Sequence, residues 1–89
     1  MLRISRTEEN GSGITLKLEG KISAEWGGLL ERECKGLIDQ DKPVALDLSG
    51  VTYLDDHGVK IVRRLRARKI QILNSSTFID NLLNGGGQS

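Results

Sequence analysis

A chain of 89 residues has room for one domain with a thin core. A fold of that size hides only about 60 to 65% of the surface its unfolded form exposes, so a deep substrate pocket is disfavoured and a binding module fits better than an enzyme. Thirteen basic and twelve acidic side chains leave a net charge of +1, so overall electrostatics selects neither nucleic acid nor a membrane surface.

The single cysteine, Cys34, has no internal partner for a disulfide. No run approaches the roughly 18 apolar residues that cross a bilayer, and Met1-Leu2-Arg3-Ile4-Ser5-Arg6 lacks the apolar segment of a secretory signal. The expected compartment is the cytoplasm. A single domain over residues 1–84 is expected, with Gly85-Gly86-Gly87-Gln88-Ser89 as a disordered tail.

Leu2 to Arg6 and Ile14 to Leu18 both alternate apolar and polar, and Asn10-Gly11-Ser12-Gly13 between them tolerates positive φ, which predicts an antiparallel hairpin. The Gly-Ser-Gly is no nucleotide loop: it lacks a third glycine and precedes a strand. Ser23 then stands where its hydroxyl can cap a helix, Glu25 suits the positive helix end, and Trp26, Leu29, Leu30, Cys34, Leu37 and Ile38 fall on one stripe. On the polar side Glu31 and Lys35 are spaced i to i+4, worth about 0.2 to 0.5 kcal/mol.

Asp39-Gln40-Asp41-Lys42-Pro43 breaks that helix, and Val44 to Leu48 reads as a central strand covered on both sides. A loop from Ser49 follows. Asp55 can cap a second helix whose apolar side carries Val59, Val62 and Leu65. Ile70-Gln71-Ile72-Leu73 predicts one more strand. Phe78, Ile79, Leu82 and Leu83 line a short last helix capped by Ser75 or Ser76. The order strand, strand, helix, strand, helix, strand, helix predicts an α/β fold: a mixed four-stranded sheet with an N-terminal hairpin, and helices mainly on one face.

The segment Leu46-Asp47-Leu48-Ser49-Gly50-Val51-Thr52-Tyr53-Leu54-Asp55-Asp56-His57-Gly58 resembles the STAS family, the sulfate-transporter and anti-sigma-factor-antagonist domains. The element order agrees along nearly the whole chain. Leu18-Glu19-Gly20-Lys21-Ile22 also looks like that family's second strand running into its first helix. The resemblance implies a non-enzymatic, bacterial protein-interaction switch in transcription signalling, whose partner is an anti-sigma factor or a related regulator. In such antagonists a kinase phosphorylates the residue after the loop aspartate and binding is lost. That position is Asp56 here, not serine, and a carboxylate cannot accept phosphate from a serine kinase in the usual way. The usual switch is therefore absent or frozen. His57 replaces a second serine, and Ser23 stands where many relatives carry an acid.

The partner-binding residues expected on this reading are Ser49, Asp55, Asp56, His57, Gly58, Lys60, Arg63 and Arg64. Against it, Asp55 and Asp56 also serve simply as first-turn acids favoured by the helix dipole. Lys60, Arg63, Arg64 and Arg68, widened by Arg66 and Lys69, form either a solvated face or a surface for an acidic protein. Nucleic acid is not expected, because aromatic residues for base stacking are almost lacking. His57 has no second histidine, cysteine or glutamate at ligand spacing, so neither a metal nor a catalytic role is expected, and nothing calls for a cofactor. Cys34 reads as a small core residue. Two alternatives stand beside the docking module: a small-ligand or nucleotide sensor using Ser23 and Asp55 as a shared cleft, and a constitutive structural subunit. The oligomeric state is left open.

Overall fold

The computed structural model describes residues 2–9 and 13–84, and the side chains of 2–6 and 13–84. The predicted turn residues Asn10 to Ser12 and the tail 85–89 lie outside them. Seven elements follow in order: β1 (Leu2–Glu9), β2 (Ile14–Ile22), α1 (Ala24–Ile38), β3 (Val44–Leu54), α2 (Asp56–Ala67), β4 (Gln71–Leu73) and α3 (Thr77–Leu83). They form one sheet in the order β1-β2-β3-β4. β1 runs antiparallel to β2, while β2–β3 and β3–β4 are parallel. This is the mixed sheet the element order predicts.

Alternation explains the layering. Ile14, Leu16, Leu18 and Ile22 of β2 are buried, and with Leu46 and Leu48 of β3 they meet Leu30, Cys34 and Leu37 of α1, Ile61, Val62 and Leu65 of α2, and Ile79 and Leu83 of α3 in one core. The intervening positions carry charge, as Lys17 and Glu19 on β2 and Asp47 on β3 do. A strand with one apolar and one polar face is the pattern of a sheet covered on one side.

β3 differs from its expected extent. It continues through the predicted loop to Leu54, because two extra residues on β3 keep it in register with β2. Lys17 pairs with Asp47 and Glu19 with Gly50, then Gly20 pairs with Val51 and Lys21 with Tyr53. Each extra residue turns the following side chain to the other face, so the buried series Val44, Leu46, Leu48 resumes at Val51 and again at Leu54. Period-2 reading fails at those two points.

The first irregularity accounts for the Asp-Leu-Ser-Gly stretch. Asp47 Oδ1 accepts from the Ser49 backbone N–H at 2.9 Å, which is the main cause holding the Asp47 carboxyl below its usual range. A Cβ at Gly50 would stand 2.7 Å from Glu19 Cγ and 3.1 Å from the Leu18 carbonyl oxygen. Those residue types build the bulge.

In α1 the core-facing arc is Gly27, Leu30, Cys34 and Leu37. Leu29, expected on the apolar stripe, points to solvent at 41% exposure. The reason is Gly27, where a Cβ would meet Ile61 Cδ1 at 2.0 Å; the missing side chain lets α2 approach there and turns the arc away from Leu29.

Candidate functional site

The parallel strands β2 and β3 end together at one edge of the sheet, where α1 and α2 begin; β4 stops short of it, beside Asp47, and the first turn of α3 reaches the edge through Phe78 against Tyr53. That edge collects most of the predicted site residues. Asp55 is the only residue between β3 and α2. Its backbone N–H donates to the Ile22 carbonyl at 3.2 Å, extending the strand pairing by one step. Its backbone is extended, and Oδ1 accepts from the Gly58 N–H at 2.8 Å, closing the first turn of α2 as an N-cap.

Gly58 is required by a close approach. A Cβ there would lie 2.2 Å from the Ile22 carbonyl oxygen, so the first turn of α2 rests directly on the end of β2. The Gly58 N–H is also the largest cause lowering the Asp55 pKa; partial burial opposes it, and the Ala24 N–H, His57 and Lys21 add to it. One carboxylate thus faces the starts of both α1 and α2.

Ser23 does occupy the N-cap position of α1, but the expected side-chain cap bond is absent. Its carbonyl accepts from Trp26 N at 3.1 Å and from Gly27 N at 2.7 Å. Two of the helix-start N–H groups that a shared Ser23–Asp55 cleft would offer a ligand, those of Gly58 and Ala24, already act on Asp55. Asp56 and His57 follow as exposed residues in the first turn of α2. Among the described residues Asp56 makes no side-chain hydrogen bond or ion pair.

On α2, Arg63 and Arg64 are engaged within the molecule. Arg63 Nε donates to the Leu83 carbonyl at the end of α3 at 2.7 Å. Arg64 reaches Glu31 of α1 with Nε–Oε2 at 2.9 Å and Nη2–Oε1 at 3.1 Å. The predicted partner of Glu31, Lys35, is only a lesser charge influence on it. Lys60 stays exposed on the helix between these two bonds and Asp56. Ser49 lies on the strand bulge, away from the helix start, and not in a loop.

A feature that the sequence pattern does not disclose adjoins this edge. Tyr53, expected in a loop, stands on β3, and Phe78, expected on the apolar stripe of α3, faces outward; the two rings meet with centroids 6.1 Å apart at an interplanar angle of 30°. Lys21 Nζ lies 5.7 Å from the Tyr53 ring centroid. Adjacency of Lys21 and Tyr53 follows from the strand register, which pattern reading cannot supply. Ser76, one of the two predicted caps, accepts from Ile79 N at 3.1 Å, while Ser75 donates to Asp80. Among the described residues no group of three or more His, Cys, Asp or Glu is placed to hold a metal ion, and no helix is long and apolar enough to cross a membrane.

Strand order, two parallel pairs and a second helix capped by the strand-end aspartate define a STAS-like α/β domain. No family model and no curated protein matches the chain, but solved structures carry this fold. An anti-sigma factor antagonist from Mycobacterium paratuberculosis aligns with TM-score 0.71 and 19% identity, over 96% of this chain and 79% of that one. The Bacillus cell fate determinant SpoIIAA in its phosphorylated form aligns with TM-score 0.68 and 16% identity, over 97% and 85%. Mglu aligns with TM-score 0.58 and 26% identity, over 74% of this chain and only 18% of that one. The chain has a SpoIIAA-like fold.

Proposed function

We propose that this domain is a non-enzymatic protein-interaction module of the anti-sigma-factor-antagonist kind, acting in transcription signalling, with Asp56 in the place of the phosphorylatable serine. The observation that carries this reading is the contrast between two adjacent carboxylates. Asp55 is committed to the fold through the Gly58 N–H; Asp56 is exposed, begins α2 and is left uncommitted among the described residues. A permanent negative charge stands at the slot where relatives add one.

The partner is an anti-sigma factor or a related regulator, docked on the exposed Asp56 and His57 and along the exposed side of α2 at Lys60, while Asp55 and the buried Gly58 hold that helix start in place. The carboxylate carries a charge of −1 where a phosphoserine carries about −1.5 to −2 with three acceptor oxygens, so Asp56 biases partner choice without full phosphate recognition. Ser49, Arg63 and Arg64 support the surface indirectly, through the bulge and the two interhelical bonds. Neighbouring charges of opposite sign speed encounter more than they deepen affinity.

The test is affinity capture from the native source, followed by binding of the purified partner to wild type, Asp56→Ser and Asp56→Ala. A changed affinity and a salt-sensitive association rate are expected. Equal affinity of all three proteins removes the reading of Asp56 as a fixed stand-in for the phosphorylated state.

A further inference from the structure

Among the described residues, three large apolar side chains stand in solvent: Leu29 at 41%, Tyr53 at 43% and Phe78 at 52% exposure. Tyr53 and Phe78 come from different elements, the end of β3 and the first turn of α3, and touch each other instead of the core. Ile79 and Leu83 anchor α3 in the core without Phe78. The pair is therefore not needed to seat the helix, and exposed aromatics of this kind, rigid and large, are the side chains most often found as interface anchors.

The charges around this ledge are unequally used. Lys21 lies against the Tyr53 ring and also acts on Asp55, so its charge has partners inside the molecule. Asp56 and Lys60 have none among the described residues. Asp56 follows Tyr53 by three residues, a reach of no more than about 11 Å, and Lys60 follows Asp56 by one helical turn, about 6 Å. Apolar ledge, free anion and free cation thus succeed one another along the chain.

We propose that Tyr53 and Phe78 form the anchor ledge of the docking surface, and that the protein segment it takes presents an aliphatic side chain to the ledge, a basic residue to Asp56 and an acidic residue to Lys60. This rests on the docking reading given under the proposed function and names its partner chemistry. A nucleic acid is the poorer occupant, because a base stacked on the rings would bring its phosphates toward Asp56.

A random peptide library displayed on phage, selected on the wild-type domain, tests this directly. The expected result is enrichment of peptides that pair Leu, Ile or Met with Lys or Arg, bind about tenfold more weakly to Phe78→Ser, and keep their affinity for Tyr53→Phe. Selection on Asp56→Lys should replace the basic residue with an acidic one. Phe78 and Tyr53 are exposed, and an unchanged thermal melt shows that each variant is folded; should Phe78→Ser fail that check, Phe78→Leu, which flattens the ledge, takes its place. Peptides that need Asp56 and Lys60 but ignore Phe78 overturn the ledge and leave the docking reading standing. No enrichment, or peptides indifferent to all four residues, overturns both. Binding of a single-stranded RNA oligomer that depends on Phe78 overturns the choice of a protein occupant.

Discussion

Glu31 of α1 and Arg64 of α2 meet as a two-pronged pair, Nε–Oε2 at 2.9 Å and Nη2–Oε1 at 3.1 Å, across 33 residues of chain. The pair ties α1 to α2. The Arg64 hydrogen bond is the first cause lowering the Glu31 pKa from its ordinary 4.5. A carboxylate with a lowered folded-state pKa contributes fully above its unfolded value and loses that contribution as pH falls through the folded one. Glu31→Gln should therefore melt slightly lower than wild type at neutral pH, since a pair with one partner, Arg64, in solvent is weak, and the difference should shrink below pH 4.5. Thermal melts across that range read the effect.

Asp55 is the stronger case, because its carboxylate closes the first turn of α2. Asp55→Ala should cost about 0.5 to 2 kcal/mol in urea denaturation, the usual range for a lost cap. Asp55→Asn keeps an acceptor oxygen for the Gly58 N–H and should cost less. Its signature lies in pH: the wild-type pKa is lowered from 3.8, first by the Gly58 N–H, so the wild type sheds this stability as pH falls below 3.8. The asparagine variant lacks that component, and an acid limb as steep as that of wild type would argue against the cap.

Local chemistry made much of this legible. The Asp55 cap, the apolar faces of β2 and α2 and the order of elements follow from residue type and period. What escaped was decided by partners distant in sequence. Two bulges against β2 carry β3 through Ser49 to Leu54, and no count along one strand reveals how many residues its neighbour has. Lys35 is Glu31's neighbour on the same helix, yet Arg64 binds it, because the closeness of α1 to α2 is set by Gly27 and Ile61. Phe78 reads as core at helical spacing; Ile79 and Leu83 already fill that arc, and Tyr53 lies on the other side.

Glycines in two settings should respond in opposite ways to alanine. At Gly58 the new Cβ would meet the Ile22 carbonyl oxygen at 2.2 Å and the carbonyl carbon at 3.0 Å. Both are backbone, and relief requires α2 to lift from β2 against the Asp55 N–H bond to the same carbonyl. Overpacking of this kind costs about 1 to 3 kcal/mol, so Gly58→Ala should lower the denaturation midpoint clearly. Gly28 and Gly36 sit inside α1, where an added Cβ would have nothing within 4 Å, and alanine at either should stabilise by about 0.5 to 1 kcal/mol. A stabilised Gly58→Ala would show that the contact between α2 and β2 yields easily.

Cys34 is sealed among the core residues of α1 with no exposed surface. Burial is the main cause pushing its pKa from 9.0 to about 11, with Glu33 and Glu31 adding to it. Two results should follow. Near pH 8 the native thiol should resist a disulfide reagent such as dithionitrobenzoate, because little of it is thiolate and none is reachable; labelling should proceed only through opening, faster in Asp55→Ala than in wild type. The raised pKa also fixes a sign: the thiol's contribution to stability is whole below pH 9.0 and is lost as pH rises to about 11, since the unfolded thiol ionises first. Cys34→Ala should lack that alkaline component, while rapid labelling of the wild type near pH 8 would place Cys34 at the surface and overturn the packing of α1.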